Sequence, residues 1–354
     1  MSLYLAGRGL ACALGGDLAS SVAALNTDVA TRSVDLGDFG RFPYRPIPFE
    51  MSDWYARART LIERVVAESG GDTAQHAPLF VASSSVDVGA AEGNPTDFIP
   101  DCTAFAYRIA EWLDWRGPVF AIGTACTSSI NAILTARDMI DAGLADDALV
   151  LGVELANTFT LRGFAAMQLL SPSRAQPFGA TRNGLVLGEA VAALRLSRNH
   201  SRWRVAGGAN VVNGNDPAGA NHQAVATMAQ RTLADAGVDA TSVRLIKAQA
   251  AGSPGNDATE AHALRSVFGS DVAMTSFKHV IGHTLGASGA AELALLTAGL
   301  ETGALPRADY TFDDALDCTL ADHAEPSRYV MADILGFGGG HAAVLLEDCE
   351  TRDA

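Results

Sequence analysis

Apolar positions along the chain follow two patterns: short aliphatic or β-branched runs, and stripes at helical spacing. Residues 118–122, Pro-Val-Phe-Ala-Ile, form a short apolar run that predicts a buried strand. Behind it, Ile130, Ile133, Leu134 and Ile140 share one stripe of a helix predicted over 130–144. Residues 148–153 predict the next strand. Similar runs predict strands within 3–10, 78–85, 190–196, 203–208, 245–248, 272–275, 329–335 and 342–347. Helices are predicted within 17–26, 52–68, 101–115, 161–168, 221–237, 259–268 and 286–299. Ser52 and Asp53 suit the cap of the second of these, and Gly70 and Gly71 its stop. Residues 31–51 show no period and carry several Pro, Gly and Asp residues, so they predict a loop. Strands alternating with helices predict an α/β protein whose sheets are covered and mostly parallel.

The polar stretch Ser197 to Ser201 suits a join between two halves. Trp203-Arg204-Val205-Ala206-Gly207 echoes Leu3-Tyr4-Leu5-Ala6-Gly7 at the start. The expected division is therefore 1–200 and 201–354, each half opening on a strand followed by a helix.

Composition narrows the class. The 354 residues are 48% hydrophobic and 18% charged, enough for a large core. Five scattered cysteines, Cys12, Cys102, Cys126, Cys318 and Cys349, form no disulfide framework or paired metal motif. A reducing, cytoplasmic setting is expected. Residues 1–8 lack the form of a signal peptide, and no apolar run reaches the ~18 residues of a spanning helix. The net charge of −15 argues against nucleic acid or an anionic membrane as partner. Lys247 and Lys278 are the only lysines.

Candidate chemistry gathers at three places. Cys126 lies between a strand and a helix, among the small residues Gly123, Ala125, Ser128 and Ser129. A helix N-terminus favours thiolate over thiol, and the thiolate is the nucleophile. The alternative is a merely buried cysteine. In Ser276-Phe277-Lys278-His279-Val280-Ile281-Gly282-His283, His283 suits a base or an oxyanion donor, and Glu292 suits a buried partner for Lys278. A zinc site on His279 and His283 would need Gly282 inside one helical turn. The run Gly336 to Gly340 lacks the ending of a phosphate-binding loop and reads as a turn between strands, with Phe337 facing a tunnel or a reacting oxygen.

Assembled in this order, the blocks resemble the β-ketoacyl synthases, condensing enzymes of the thiolase fold. The resemblance rests on five blocks: Thr124 to Ser129; Pro177-Phe178, Arg182, Gly184 and Gly188-Glu189; Ser253 to Asp257; Lys278, Gly282-His283, Gly286-Ala287 and Glu292; and Gly336 to Gly339. It implies a thiolase-like α/β fold of two similar halves in five layers, α/β/α/β/α. It implies acyl transfer from the phosphopantetheine arm of an acyl carrier protein to Cys126, then decarboxylative carbon–carbon bond formation in fatty acid or polyketide biosynthesis, aryl polyenes included. No cofactor or metal of the chain's own is implied. The family pattern makes Cys126 the nucleophile and His283 a catalytic histidine, with Lys278 and Glu292 in support. The N–H groups of Cys126 and Phe337 would form the oxyanion hole, and Ser253, Phe337 and Gly338 would contact the pantetheine arm.

One block departs. Where the family reads His-Gly-Thr-Gly-Thr, this chain has Gln249-Ala250-Ala251-Gly252-Ser253. Gln249 can donate a hydrogen bond but cannot carry a proton near neutral pH. Acyl transfer is thus expected to survive better than condensation. Two assemblies follow: a homodimeric condensing enzyme, or a heterodimer in which this chain is the weakly or non-catalytic, chain-length-factor-like partner of a fully armed ketosynthase.

Overall fold

The computed structural model describes residues 2–351 except 28, 30, 94–100, 216, 217, 324 and 326. In the first half, β1 (Leu3–Cys12) leads to α1 (Leu18–Ala23), β2 (Arg32–Asp35) and β3 (Arg41–Arg45). Then come α2 (Trp54–Glu68), β4 (Leu79–Ala82), α3 (Val88–Gly93), α4 (Cys102–Trp112), β5 (Val119–Ile122) and α5 (Ser128–Asp141). The half closes with β6 (Asp147–Glu154), α6 (Thr158–Ala166), β7 (Leu187–Gly188) and β8 (Ala190–Ser197). The second half runs β9 (Trp203–Val212), α7 (His222–Ala236), β10 (Val243–Lys247), α8 (Pro254–Phe268), β11 (Ala273–Thr275), α9 (Lys278–Ile281), α10 (Ser288–Thr302), β12 (Tyr329–Gly336) and β13 (Gly340–Asp348).

Ten strands form one hydrogen-bonded system in the order β11-β10-β12-β13-β9-β1-β8-β6-β4-β5. Each half supplies five. Counted within its half, each set has the order third, second, fourth, fifth, first, with antiparallel pairs next to the first strand and parallel pairs at the far end. Three residue pairs between β1 and β9 join the sets.

Side-chain alternation separates the layers, because successive residues of a strand face opposite sides. Leu79 and Val81 pack with α2 and α4, while Phe80 and Ala82 face α5 and α10. Likewise Val330 and Ala332 face the middle, and Met331 packs with α7 and α8. The layers are therefore α2/α4, sheet, α5/α10, sheet, α7/α8. In the middle layer, α10 is buried without a break from Ser288 to Gly299. A helix apolar and small on every side suits a position enclosed all round.

The 31–51 segment differs from the expected loop. Arg32–Asp35 and Arg41–Arg45 form a hairpin, and Tyr44 and Arg45 pair with Leu187 and Gly188. Much of it is exposed, so no hydrophobic alternation marks it. Helix α8 starts five residues early, at Pro254 after Ser253; a proline at the first helical position satisfies that start. Among the described residues, no helix is long and apolar enough to cross a membrane.

The duplicated topology repeats the Cys126 turn. Thr124-Ala125-Cys126 precedes α5 and Thr284-Leu285-Gly286 precedes α10. Ala125 and Leu285 both hold positive φ, 51° and 45°. At Gly286 an added Cβ would meet Ser84 N at 2.7 Å and the Glu154 carboxylate at 2.8 Å. Gly286→Ala should therefore cost about 1–3 kcal/mol. Thermal unfolding should show a clear fall in Tm; an unchanged Tm would contradict the close packing of this turn against Ser84 and Glu154.

Candidate active site

The Cys126 turn is tied by its own hydroxyls. Thr124 N–H donates to Ser128 Oγ at 2.9 Å, Ser128 Oγ donates to the Ala125 carbonyl at 2.6 Å, and Thr127 Oγ1 donates to the Thr124 carbonyl at 2.6 Å. Asn131 Nδ2 donates to Thr124 Oγ1 at 2.8 Å. These bonds hold Ala125 in its left-handed conformation, which costs a non-glycine residue about 1–2 kcal/mol. The turn points the thiol across the molecule toward the second half.

There the thiol meets an imidazole. Cys126 Sγ lies 3.1 Å from His283 Nε2, and His283 Nδ1 lies 3.1 Å from Ser288 Oγ. Cys126 is 5% exposed and His283 3%. Burial, then the nearby Lys278 and Lys247 charges, hold His283 well below the usual imidazole range. Burial pushes the Cys126 thiol up to about 11, against the pull of the Phe337 N–H and the Lys278 charge. The resting pair is thus thiol and neutral imidazole: S–H donates to Nε2, and Nδ1–H donates to Ser288 Oγ. The helix-start argument favours thiolate, but desolvation of the sealed sulfur outweighs it.

Behind His283 lies an ionic cluster. Lys278 Nζ and Glu292 Oε1 form an ion pair, and Lys247 Nζ binds Glu292 Oε2 at 2.7 Å. The segment at 249–253 wraps two buried carboxylates. Gln249 and Ala250 N–H donate to Glu260 at 2.6 and 2.8 Å, and Ala251, Gly252 and Ser253 N–H donate to Asp257 at 3.0–3.1 Å. Burial raises Asp257 to about 6, against those N–H bonds. Burial and the facing Asp333 push Glu260 well above the usual carboxyl range. Gln249 is 7% exposed, and among the described residues its Oε1 has no hydrogen-bond partner.

One cavity of about 50 Å³ joins these parts. Cys126, His283, Gln249, Ser253, Phe337 and His341 line it, with Phe164, Leu169 and Leu185 as its apolar side. The Phe337 ring stacks on Phe164, centroids 5.4 Å apart and planes at 11°. That volume holds one or two waters, so a larger molecule enters only if the wall moves. Gly338 is not in the cavity wall. A wider depression of about 1100 Å³ lies at the 32–45 hairpin, and its deep groups, Arg57 and Glu189, already pair with each other.

The fold brings Cys126, His283, Lys278, Glu292, Gln249, Phe337 and Ser253 into one neighbourhood. His279 turns away, its Nε2 at the Arg307 carbonyl, so it shares no site with His283. Three further residues escaped the sequence reading. Ser288 Oγ anchors the Nδ1 side of the His283 ring. Lys247 shares Glu292, and lysine scarcity was its one signal. His341 donates from Nδ1 to the Gly339 carbonyl at 2.7 Å and accepts at Nε2 from Asn221 N–H at 3.3 Å. Its position directly behind the glycine run was the available sign.

Comparison with known proteins follows the same lines. Residues 62–201 match the family described as Beta-ketoacyl synthase, N-terminal domain, and residues 205–309 match Beta-ketoacyl synthase, C-terminal domain. Nodulation protein E of Rhizobium meliloti is 32% identical over 261 residues, covering 68% of this chain and 65% of the relative. Putative polyketide beta-ketoacyl synthase 1 of Streptomyces cyaneus is 31% identical over 271 residues, covering 69% and 64%. The chain thus spans less than two thirds of the length of these curated relatives. Among solved structures, the ketosynthase (ApeO) in complex with its chain length factor (ApeC) from Xenorhabdus doucetiae aligns with TM-score 0.89 at 23% identity, over 98% of both chains. The ishigamide ketosynthase/chain length factor aligns with TM-score 0.84 at 22% identity, also over 98% of both. These likenesses establish the thiolase-like ketosynthase fold.

The titration of the thiol is open to test. Alkylation of Cys126 by iodoacetamide, followed by peptide mass, should still accelerate above pH 9.0, the ordinary thiol value. A rate that levels off near about pH 7 would mean a resting thiolate.

Proposed function

Because this chain belongs to the β-ketoacyl synthase family, we propose that it is a ketosynthase-type acyltransferase working on carrier-bound thioesters in polyketide or fatty acid assembly. The Cys126–His283 contact at 3.1 Å carries the reading. Sulfur attacks the thioester carbon as its proton passes to His283 Nε2, while Nδ1–H stays on Ser288. The carbonyl oxygen becomes an oxyanion facing the N–H groups of Cys126 and Phe337, each such donor contributing a few kcal/mol. Collapse expels the carrier thiolate, which takes the proton from His283. Lys278 and Glu292 support the imidazole.

Condensation asks for more. A malonyl thioester loses CO₂, and the electron pair left behind forms an enolate whose oxygen needs a donor. The Gln249 amide supplies an N–H but no proton. The enolate carbon attacks the acyl group on Cys126, and the released thiolate takes up a proton. The chain uses no metal or cofactor of its own in this scheme; phosphopantetheine arrives with the carrier, and Ser253 and Phe337 line its approach. Gly338, outside the cavity wall, would contact the arm only at the mouth.

The halves at 1–200 and 201–354 act as one unit here, one giving the nucleophile and the other the histidine. A dimer fits the sheet edge: β5 ends the ten-stranded system, and its Phe120 is 36% exposed. The partner is a second copy or a second ketosynthase. A cytoplasmic setting fits five free cysteines. Gln249 also favours a second reading, a chain-length-factor-like subunit with little condensing activity.

Malonyl-dependent elongation separates the two. The chain with acyl- and malonyl-carrier proteins should elongate slowly, and Gln249→His should raise the rate about tenfold or more. Elongation seen only with an added ketosynthase, and unmoved by Gln249→His, would favour the subunit reading.

A further inference from the structure

The chain has two lysines against twenty-three arginines. Both lysines are sealed, each 1% exposed, and both bind the same carboxylate. Lys278 takes Glu292 Oε1 and Lys247 takes Oε2 at 2.7 Å. Lys247 also donates to the backbone carbonyl of Asp333 at 2.6 Å. The reaction as drawn uses Lys278 and leaves Lys247 idle.

We propose that Lys247 is a second positioning residue of the condensing site, holding Glu292 from the side opposite Lys278 and locking β10, β12 and α10 around the Cys126–His283 pair. The proposal rests on the reading of Cys126 as the acyl-accepting nucleophile.

Connectivity supports it. Lys247 ends β10, two residues before Gln249. Asp333 lies in β12, four residues before Phe337. Glu292 lies in α10, one turn beyond Ser288, which hydrogen-bonds the His283 ring at Nδ1. One ammonium therefore ties together the three elements that present Gln249, Phe337 and Ser288. A buried ammonium costs several kcal/mol unless paired and hydrogen-bonded, so it persists only where its partners are held in place. Arginine's wide fork suits a carboxylate gripped at both oxygens, as in the deep Arg57–Glu189 pair; lysine's compact charge suits one carboxylate oxygen and one carbonyl.

Charge points the same way. Around His283 stand Cys126 from the nucleophile turn, Lys278 from α9, Lys247 from β10 and Glu292 from α10. Beyond them are Asp333 from β12, Glu260 and Asp257 from α8, Glu154 from β6 and His341 from β13. Of these, both lysines disfavour the imidazolium. Lys278 also draws the Cys126 thiol down. Lys247 should thus act on His283, and Lys278 on both members of the pair.

The test follows the full-length protein by NMR of the His283 imidazole carbon and by the alkaline limb of Cys126 alkylation. Lys247→Met should move His283 protonation to higher pH and leave the thiol limb in place; Lys278→Met should move both. A folded Lys247→Met protein whose His283 titrates as in the wild type would overturn the proposal. A second measurement needs no variant: ¹⁵N-lysine labelling gives two ammonium signals, and the Lys247 signal should shift at the pH where His283 takes its proton. A Lys247 signal that ignores that event would also overturn it. Failure of Cys126 to accept an acyl group would sink the functional reading instead, and leaves both of these readouts intact.

Discussion

Cys126 and His283 stand 157 residues apart in sequence and meet at 3.1 Å. The contact depends on the close packing of two duplicated halves. After its third strand, directly in the first half and beyond α9 in the second, each half reaches a turn with one left-handed residue, Ala125 or Leu285, and then starts a helix. Those helices, α5 and α10, share the middle layer. Gly289 faces Ile130, and Ser129 donates to the Gly286 carbonyl, so little bulk separates the two turns. The small residues of α10, poor in amphipathic pattern, are what this approach requires. One turn presents the thiol. The duplicate turn carries glycine at the matching place and instead seats the buried Glu154, which accepts from Gly286 and Ser84 N–H.

Electrostatics then sets the resting state. Sealing the pair from water favours its neutral forms, and the two lysines behind His283 strengthen that preference. Such a thiol is protected from casual chemistry. In the proposed reaction its activation needs a carbonyl in the oxyanion position, where fixed N–H donors meet the growing charge. The stacked Phe337 and Phe164 rings form part of the cavity wall beside the pair. Phe337 thereby carries both the ring that stacks on Phe164 and the backbone N–H that draws on the Cys126 thiol.

Much of this was legible from local pattern. Strands of the central system announce themselves as apolar runs because both faces are buried, as in β4 and β6. Helices α2 and α7 show their stripes and their caps at Asp53 and Asn221. The 32–45 hairpin was hidden because much of it is exposed and its β3 pairs with Leu187 and Gly188, far along the chain. The five motif blocks marked the neighbourhood of Cys126 and His283. They did not reveal that Glu292 carries two ammonium partners, since Lys247 lies outside every block. Nor did they reveal the thiol's raised affinity for its proton, which depends on how much water the finished fold excludes. His341 reads in sequence as a lone histidine; only the fold brings it to the cavity wall.

The central claim is that Cys126 is an acyl-accepting nucleophile activated by His283. Intact-mass analysis after brief incubation with a short acyl-carrier thioester tests it most directly. The account predicts one acyl group on the wild-type chain, mapped to Cys126, absent from Cys126→Ala and formed about a hundredfold more slowly in His283→Ala. A wild-type chain that stays unmodified, or an adduct that persists in Cys126→Ala, would contradict it.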